Sequence, residues 1–196
     1  MNRKTLKRSL NFSISIAVIT FVLAAIFSIV SNVALDGTIW TIGLIIVFII
    51  VFIGVVFDMM GIAAAAATEQ PFHAMAAEKV TGAKESIVIV RNADRFASFC
   101  NDVIGDIAGI VSGTAAALVV TQLVDVFNTG RPTLSIVLTS IVAALTVGGK
   151  AFGKTLAMTK STQIILFAGK LAFFVENKLN IRILPSLKKK NNKQEI

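Results

Sequence analysis

The sequence predicts an all-α fold, a polytopic membrane helix bundle of about four transmembrane helices with amphipathic juxtamembrane helices. Three observations lead to it. Hydrophobic residues make up 55% of the 196-residue chain and charged residues only 15%, with a mean hydropathy of +0.81. That is more apolar than a water-soluble core requires. Four uncharged stretches are long enough, or nearly so, for the roughly 20 residues that cross a bilayer. Finally, the net charge of +8 is gathered at the chain ends and around one central segment rather than spread over a surface. Nucleic acid is therefore a poor explanation for the basic residues, and topology against anionic lipid a better one.

Arg3, Lys4, Lys7 and Arg8 precede an uncharged run from Ser9 through Leu35, too long for the apolar core of a cleaved signal peptide, so a retained first helix is expected. After a turn at Asp36-Gly37, the run Gly37 to Phe57 forms the second helix, which continues past Asp58 into Gly61 and the alanines Ala63 to Ala67. Small residues at that end suit packing against protein rather than lipid. From Glu69 to Asp102, charged residues alternate with Met75, Val80, Ile87, Ile89, Val90 and Phe96, the pattern of amphipathic helices along the interface. A third helix is expected over Ile107 to Val124, with Gly105, Gly109 and Gly113 at four-residue spacing beside Ser112. That ridge marks close backbone approach, and both an intramolecular contact and a homodimer interface fit it. A fourth helix is expected over Pro132 to Gly149. Beyond it, Lys170 and Lys178 make a further span expensive, so residues 158–187 read as an interfacial helix and 188–196 as a basic, disordered tail.

Of the 19 basic residues, none lies in the Asp36 turn and one in the Arg131 turn, which places both termini in the cytoplasm under the positive-inside rule. The single cysteine, Cys100, excludes an intramolecular disulfide. One histidine, no tyrosine, and no phosphate loop or nucleophile motif argue against an enzyme. His73 reads as a satisfied or solvent-facing side chain, since one histidine without partners makes no metal site. The residues that invite chemistry are carboxylates near membrane depth: Asp58, Glu69, Asp102 and Asp106. For Asp58 in particular an internal partner is expected, because an unpaired intramembrane charge is costly. Carboxylate and hydroxyl oxygens, here also Thr68 and Ser112, are the ligands that Mg²⁺ requires.

Phe57-Asp58, Ala67-Thr68-Glu69, Gly82-Ala83-Lys84, Asp94-Arg95-Phe96, Ile104-Gly105-Asp106 and Gly149 with Lys154-Thr155-Leu156-Ala157 occur in an order that resembles the transmembrane domain of the cyclin M and CorC/CorB magnesium transport proteins. The resemblance covers about residues 57–157 within a transmembrane domain of 1–157. It implies a dimeric three-helix core, a polar cavity, and Mg²⁺ or Co²⁺ as a transported ion rather than a bound cofactor. Glu69 matches the family's acidic motif residue, Asp106 stands where the family has Asn, and with Thr68 and Ser112 they form the candidate metal ligands. There are departures from the family. An additional helix precedes the core, the segment between Arg95 and Ile104 is about two residues longer than the family's, no regulatory domain follows the membrane part, and Lys150 and Gly153 stand where the family has Glu and Pro. Lys150 then reads either as a snorkelling helix-end lysine or as a tethered cation bonded to Glu69 or Asp106. The resemblance thus points first to a divalent-cation transporter; the alternative, favoured by Lys150 and the missing regulatory domain, is a non-transporting membrane scaffold or regulatory subunit that acts with a separate partner.

Overall fold

The computed structural model describes residues 3–127 and 131–179, without the side chains of 3–9, 11, 12, 125–127, 131 and 179. The basic tail at 188–196, the end of the interfacial segment, and the turn Asn128 to Gly130 lie outside the described residues. The regular structure there is all helical: α1 (Arg3–Leu35), α2 (Trp40–Ala66), α3 (Gln70–Ala77), α4 (Ala83–Arg91), α5 (Ala93–Ser98), a π-helical segment (Phe99–Gly105), α6 (Asp106–Phe127), α7 (Arg131–Thr159) and α8 (Ser161–Leu179). Four stretches are long and apolar enough to cross a membrane: Ser13–Leu35, Trp40–Ala66, Ala93–Val124 and Pro132–Thr159. The chain is an all-α membrane bundle.

α1 turns into α2 at Gly37, whose φ of +68° suits a residue without Cβ. Thr38 Oγ1 donates to Leu35 O at 2.9 Å and satisfies a carbonyl at the helix end. α2 then becomes the centre of the bundle, packing on α6, α7, the π segment and α5. Small residues make this possible. A Cβ on Gly54 would meet Ala108, and one on Gly43 would meet Val119, so α2 and α6 run antiparallel at close range. Gly149 and Gly153 lie against Val55 and Met59, so α7 runs parallel to α2. Val47, Val51, Ala115, Ala116, Val119, Leu123 and Val142 form the apolar core between the three. α1 is peripheral: its most apolar 18 residues bury none of their number, and it touches the bundle through Ile16, Leu23 and Ala24 and, at its end, through buried Leu35. The fourth helix does not end at Gly149 but continues to Thr159, carrying Lys150 and Lys154 within it.

A second layer closes one end of the bundle. Phe72 of α3, Ile87 and Ile89 of α4, Ala157 of α7 and Ile165 and Ala168 of α8 are buried together with Met60, Ala63 and Ala64 from the end of α2. Burying a side chain such as Phe72 fully contributes about 1.5–3 kcal/mol. The seam between α4 and α8 is tight. A Cβ on Gly169 would collide with Gly82 O and Ser86 Oγ, while Ser86 Oγ lies within bonding distance of Gly82 O (2.8 Å) and Ile165 O (3.0 Å). α8 therefore lies on the juxtamembrane layer, with Phe167, Leu171 and Phe174 on its outer, exposed face.

Candidate functional site

The charged centre of the bundle follows from where helix register places two residues. Asp58 stands about 12 Å inside the C-terminal end of α2, and Lys150 at a similar depth in α7. Because the two helices are parallel and glycines bring them together, the side chains meet: Lys150 Nζ is 3.6 Å from Asp58 Oδ1. Asp58 retains 14% of its side-chain exposure and Lys150 29%, so the pair is largely withdrawn from solvent. At this separation the attraction is that of two charges rather than of a short hydrogen bond.

The wall opposite the pair belongs to Gly105. A Cβ there would stand 3.5 Å from Asp58 Oδ1 and 3.6 Å from Lys150 Nζ, so the small residue lets the third helix approach both charges at once. Gly105 closes the π-helical segment Phe99–Gly105. A π turn accommodates extra chain inside a helix and recurs at functional sites. Within it, Asn101 presses against Gly61, and its Oδ1 is buried without a hydrogen-bond donor. Asp58 and Lys150, with Gly105 against them, thus form a polar centre where α2, α7 and the third span meet, and Asn101 lies against α2 at Gly61, three residues beyond Asp58. Asn101 was not singled out in the sequence; an amide within a third-span approach rich in apolar residues was the available signal.

The other candidates lie elsewhere. Glu69 stands at the start of α3, accepting from Arg91 Nε at 2.8 Å and facing His73 Nε2 at 3.2 Å, with 35% of its side chain exposed. The Arg91 hydrogen bond holds its carboxyl below the ordinary value of 4.5 against a smaller opposing effect of burial, with His73 adding to the lowering. Thr68 beside it is exposed, and so is Asp106 at the start of α6. Ser112 is buried, but its hydroxyl donates to Gly109 O at 3.0 Å. Among the described residues no group of three or more His, Cys, Asp or Glu is placed to hold a metal ion. Lys150 is paired with Asp58 rather than with Glu69 or Asp106, the two partners considered from sequence. Of the glycine ridge, Gly105 is buried, whereas Gly109 and Gly113 have nothing within 4 Å of a built Cβ. They open onto a cleft of about 280 Å³ between α6 and α7, lined also by Ser112, Thr139, Val142 and Thr146.

No known protein family, characterised protein or solved structure matches the chain.

Proposed function

We propose that the chain is a non-transporting integral membrane protein, a scaffold or regulatory subunit, in which the Lys150 ammonium serves as a built-in cation where a magnesium-transport bundle would hold a free one. The observation that supports this reading is the 3.6 Å approach of Lys150 Nζ to Asp58 Oδ1 at membrane depth. A carboxylate with a covalently tethered counter-charge has little reason to recruit Mg²⁺, whose binding would have to displace the amine. Glu69 is likewise engaged by Arg91, away from the polar centre.

Mg²⁺-dependent thermal stability, measured on wild type and Lys150→Glu with an ionic-strength control, tests the proposal, since a ligand that binds only the folded state raises apparent stability. The expected result is no specific stabilisation of wild type at millimolar Mg²⁺ and a specific gain for Lys150→Glu, where Asp58 and the new carboxylate leave two hard oxygen ligands together. Cells with and without the gene should show the same Mg²⁺ and Co²⁺ tolerance. Stabilisation of wild type by Mg²⁺ that Lys150→Glu abolishes, together with altered ion tolerance, would instead favour the transporter.

The proposed setting is the cell membrane, with both termini cytoplasmic. Lys79, Lys84, Arg91, Arg95, Lys160, Lys170 and Lys178 all belong to the juxtamembrane helices or their junctions, at the end of the bundle where α1 begins, as the positive-inside rule requires of a cytoplasmic layer. A reporter cysteine at exposed Asp36, in a Cys100→Ser background, should react from outside the cell. Position 36 is preferable to Gly37, where the positive φ would strain a cysteine.

A further inference from the structure

α3 ends in a Schellman motif: Val80 N–H donates to Met75 O at 2.9 Å and Lys79 N–H to Ala76 O at 3.1 Å. The left-handed residue that this motif requires is usually glycine, yet here it is Lys79, at φ +59°. A second lysine is also placed against local preference. Lys84 lies in the first turn of α4, where the helix dipole favours acids over cations. Both lysines line one cavity of about 390 Å³, together with Thr81, Glu85, Ala76 and Phe173 of α8.

We propose that this cavity binds the headgroup of an anionic phospholipid, with Lys79 and Lys84 on the phosphate. Charge and position both favour a lipid occupant. The two ammonium groups outnumber the one carboxylate on the wall, Glu85, and Thr81 adds a hydroxyl donor. The cavity also has an apolar wall, Ala76 and Phe173, and around α8 from Phe173 the residues Phe167, Leu171 and Phe174 are exposed in the juxtamembrane layer, with Lys178 5.4 Å from the centre of the Phe174 ring. A phospholipid has the matching division, an anionic phosphate joined to acyl chains that can lie along those apolar residues. The lysine at the left-handed position is then explained by its ligand: glycine would close α3 more cheaply but bring no charge to the cavity.

The test compares thermal unfolding of the full chain in bilayers of pure phosphatidylcholine and of equimolar phosphatidylcholine and phosphatidylglycerol. Wild type should gain a few degrees in the anionic bilayer. Lys79→Gly should unfold at a higher temperature than wild type in the neutral bilayer, because the backbone strain is relieved, yet lose most of that anionic gain. Lys79→Asn, which also tolerates the left-handed region, should lose the gain too, and Lys79→Gly/Lys84→Gln should abolish it. Glu85→Gln should enlarge it, and Lys160→Gln, outside the cavity, should leave it intact. The proposal is overturned if the double variant keeps the wild-type gain, which would mean that scattered surface lysines produce it. It is also overturned if inorganic phosphate in the neutral bilayer reproduces the gain in full, since the ligand would then be a free anion.

Discussion

Asp58 and Lys150 face each other across the contact between two parallel helices, with Gly105 of a third helix against both. Each charge is therefore the other's principal neighbour at membrane depth, and the consequences of removing one differ from those of removing both. Breaking a buried pair costs about 3–5 kcal/mol, whereas replacing it by apolar residues is often neutral or stabilising. Because Lys150 keeps 29% of its exposure and can reach toward the interface, the single losses should fall toward the lower end. Asp58→Asn and Lys150→Met should each lower unfolding stability in detergent, while the double variant recovers most of the loss. A double-mutant cycle measures this directly, and additive single effects would show that the two side chains do not sense each other.

Acid should weaken the α2–α3 junction. The Glu69 carboxyl lies below its ordinary value of 4.5 because Arg91 bonds it, so its contribution is fully present above that value and is lost as pH falls through the lower folded value. Comparing the pH dependence of unfolding for wild type and Glu69→Gln should reveal a difference at neutral pH that shrinks below about pH 4.5. The pair is exposed, so the difference should be only a fraction of a kcal/mol.

The α4–α8 seam should be intolerant of a single methyl group. Gly169→Ala places a Cβ against the backbone carbonyl of Gly82, which cannot swing away as a side-chain end can. Overpacking of this kind costs about 1–3 kcal/mol or more. Ser86→Ala, which removes only the hydroxyl near Gly82 O and Ile165 O, should cost about 1 kcal/mol. Hydrogen exchange should locate the loosening in α4 and α8 for both variants, with the greater effect for Gly169→Ala.

Glycines in the same bundle should differ in their tolerance. Gly61→Ala meets Asn101 and the Ala97 carbonyl, at 3.2 Å, and should destabilise the bundle, whereas Gly109→Leu enters the cleft between α6 and α7 and should leave thermal stability of the isolated chain nearly unchanged. Size-exclusion of the Gly109→Leu protein in detergent tests the homodimer reading as well. A smaller assembly at unchanged stability indicates that a second chain uses the cleft, and unchanged size removes that support.

The spans were legible because long uncharged runs have few alternatives to a bilayer. Their ends were less so. α7 passes Gly149 and carries Lys150 within the helix because Asp58 receives its charge, a circumstance visible only once the α2–α7 register is known. That Asp58 needs a partner followed from its depth, but the identity of the partner depended on which glycines set the helices close. A helix after the fourth span was expected over 158–187, and α8 occupies Ser161–Leu179 of it. The lysine at the end of α3 had no sequence signature, since it occupies a place where glycine is expected, and the added length between Arg95 and Ile104 did not say that the chain takes it up as a π turn.

The π turn also fixes the angular phase of everything that follows it. A wider turn takes up an added residue without rotating the rest of the helix, whereas an α-helical path of the same length would advance each later residue by about 100° around the axis. With the preceding turn held in place, Ile104 would then occupy the position of Gly105 beside Asp58 and Lys150, and the carboxylate of Asp106 would take the buried place of Ile107. One widened turn thus decides which face of the third span meets the charges and which face meets lipid. Deleting a residue from Phe99–Gly105 is accordingly a milder change than inserting one, since deletion can restore an ordinary helix in the same phase and insertion cannot.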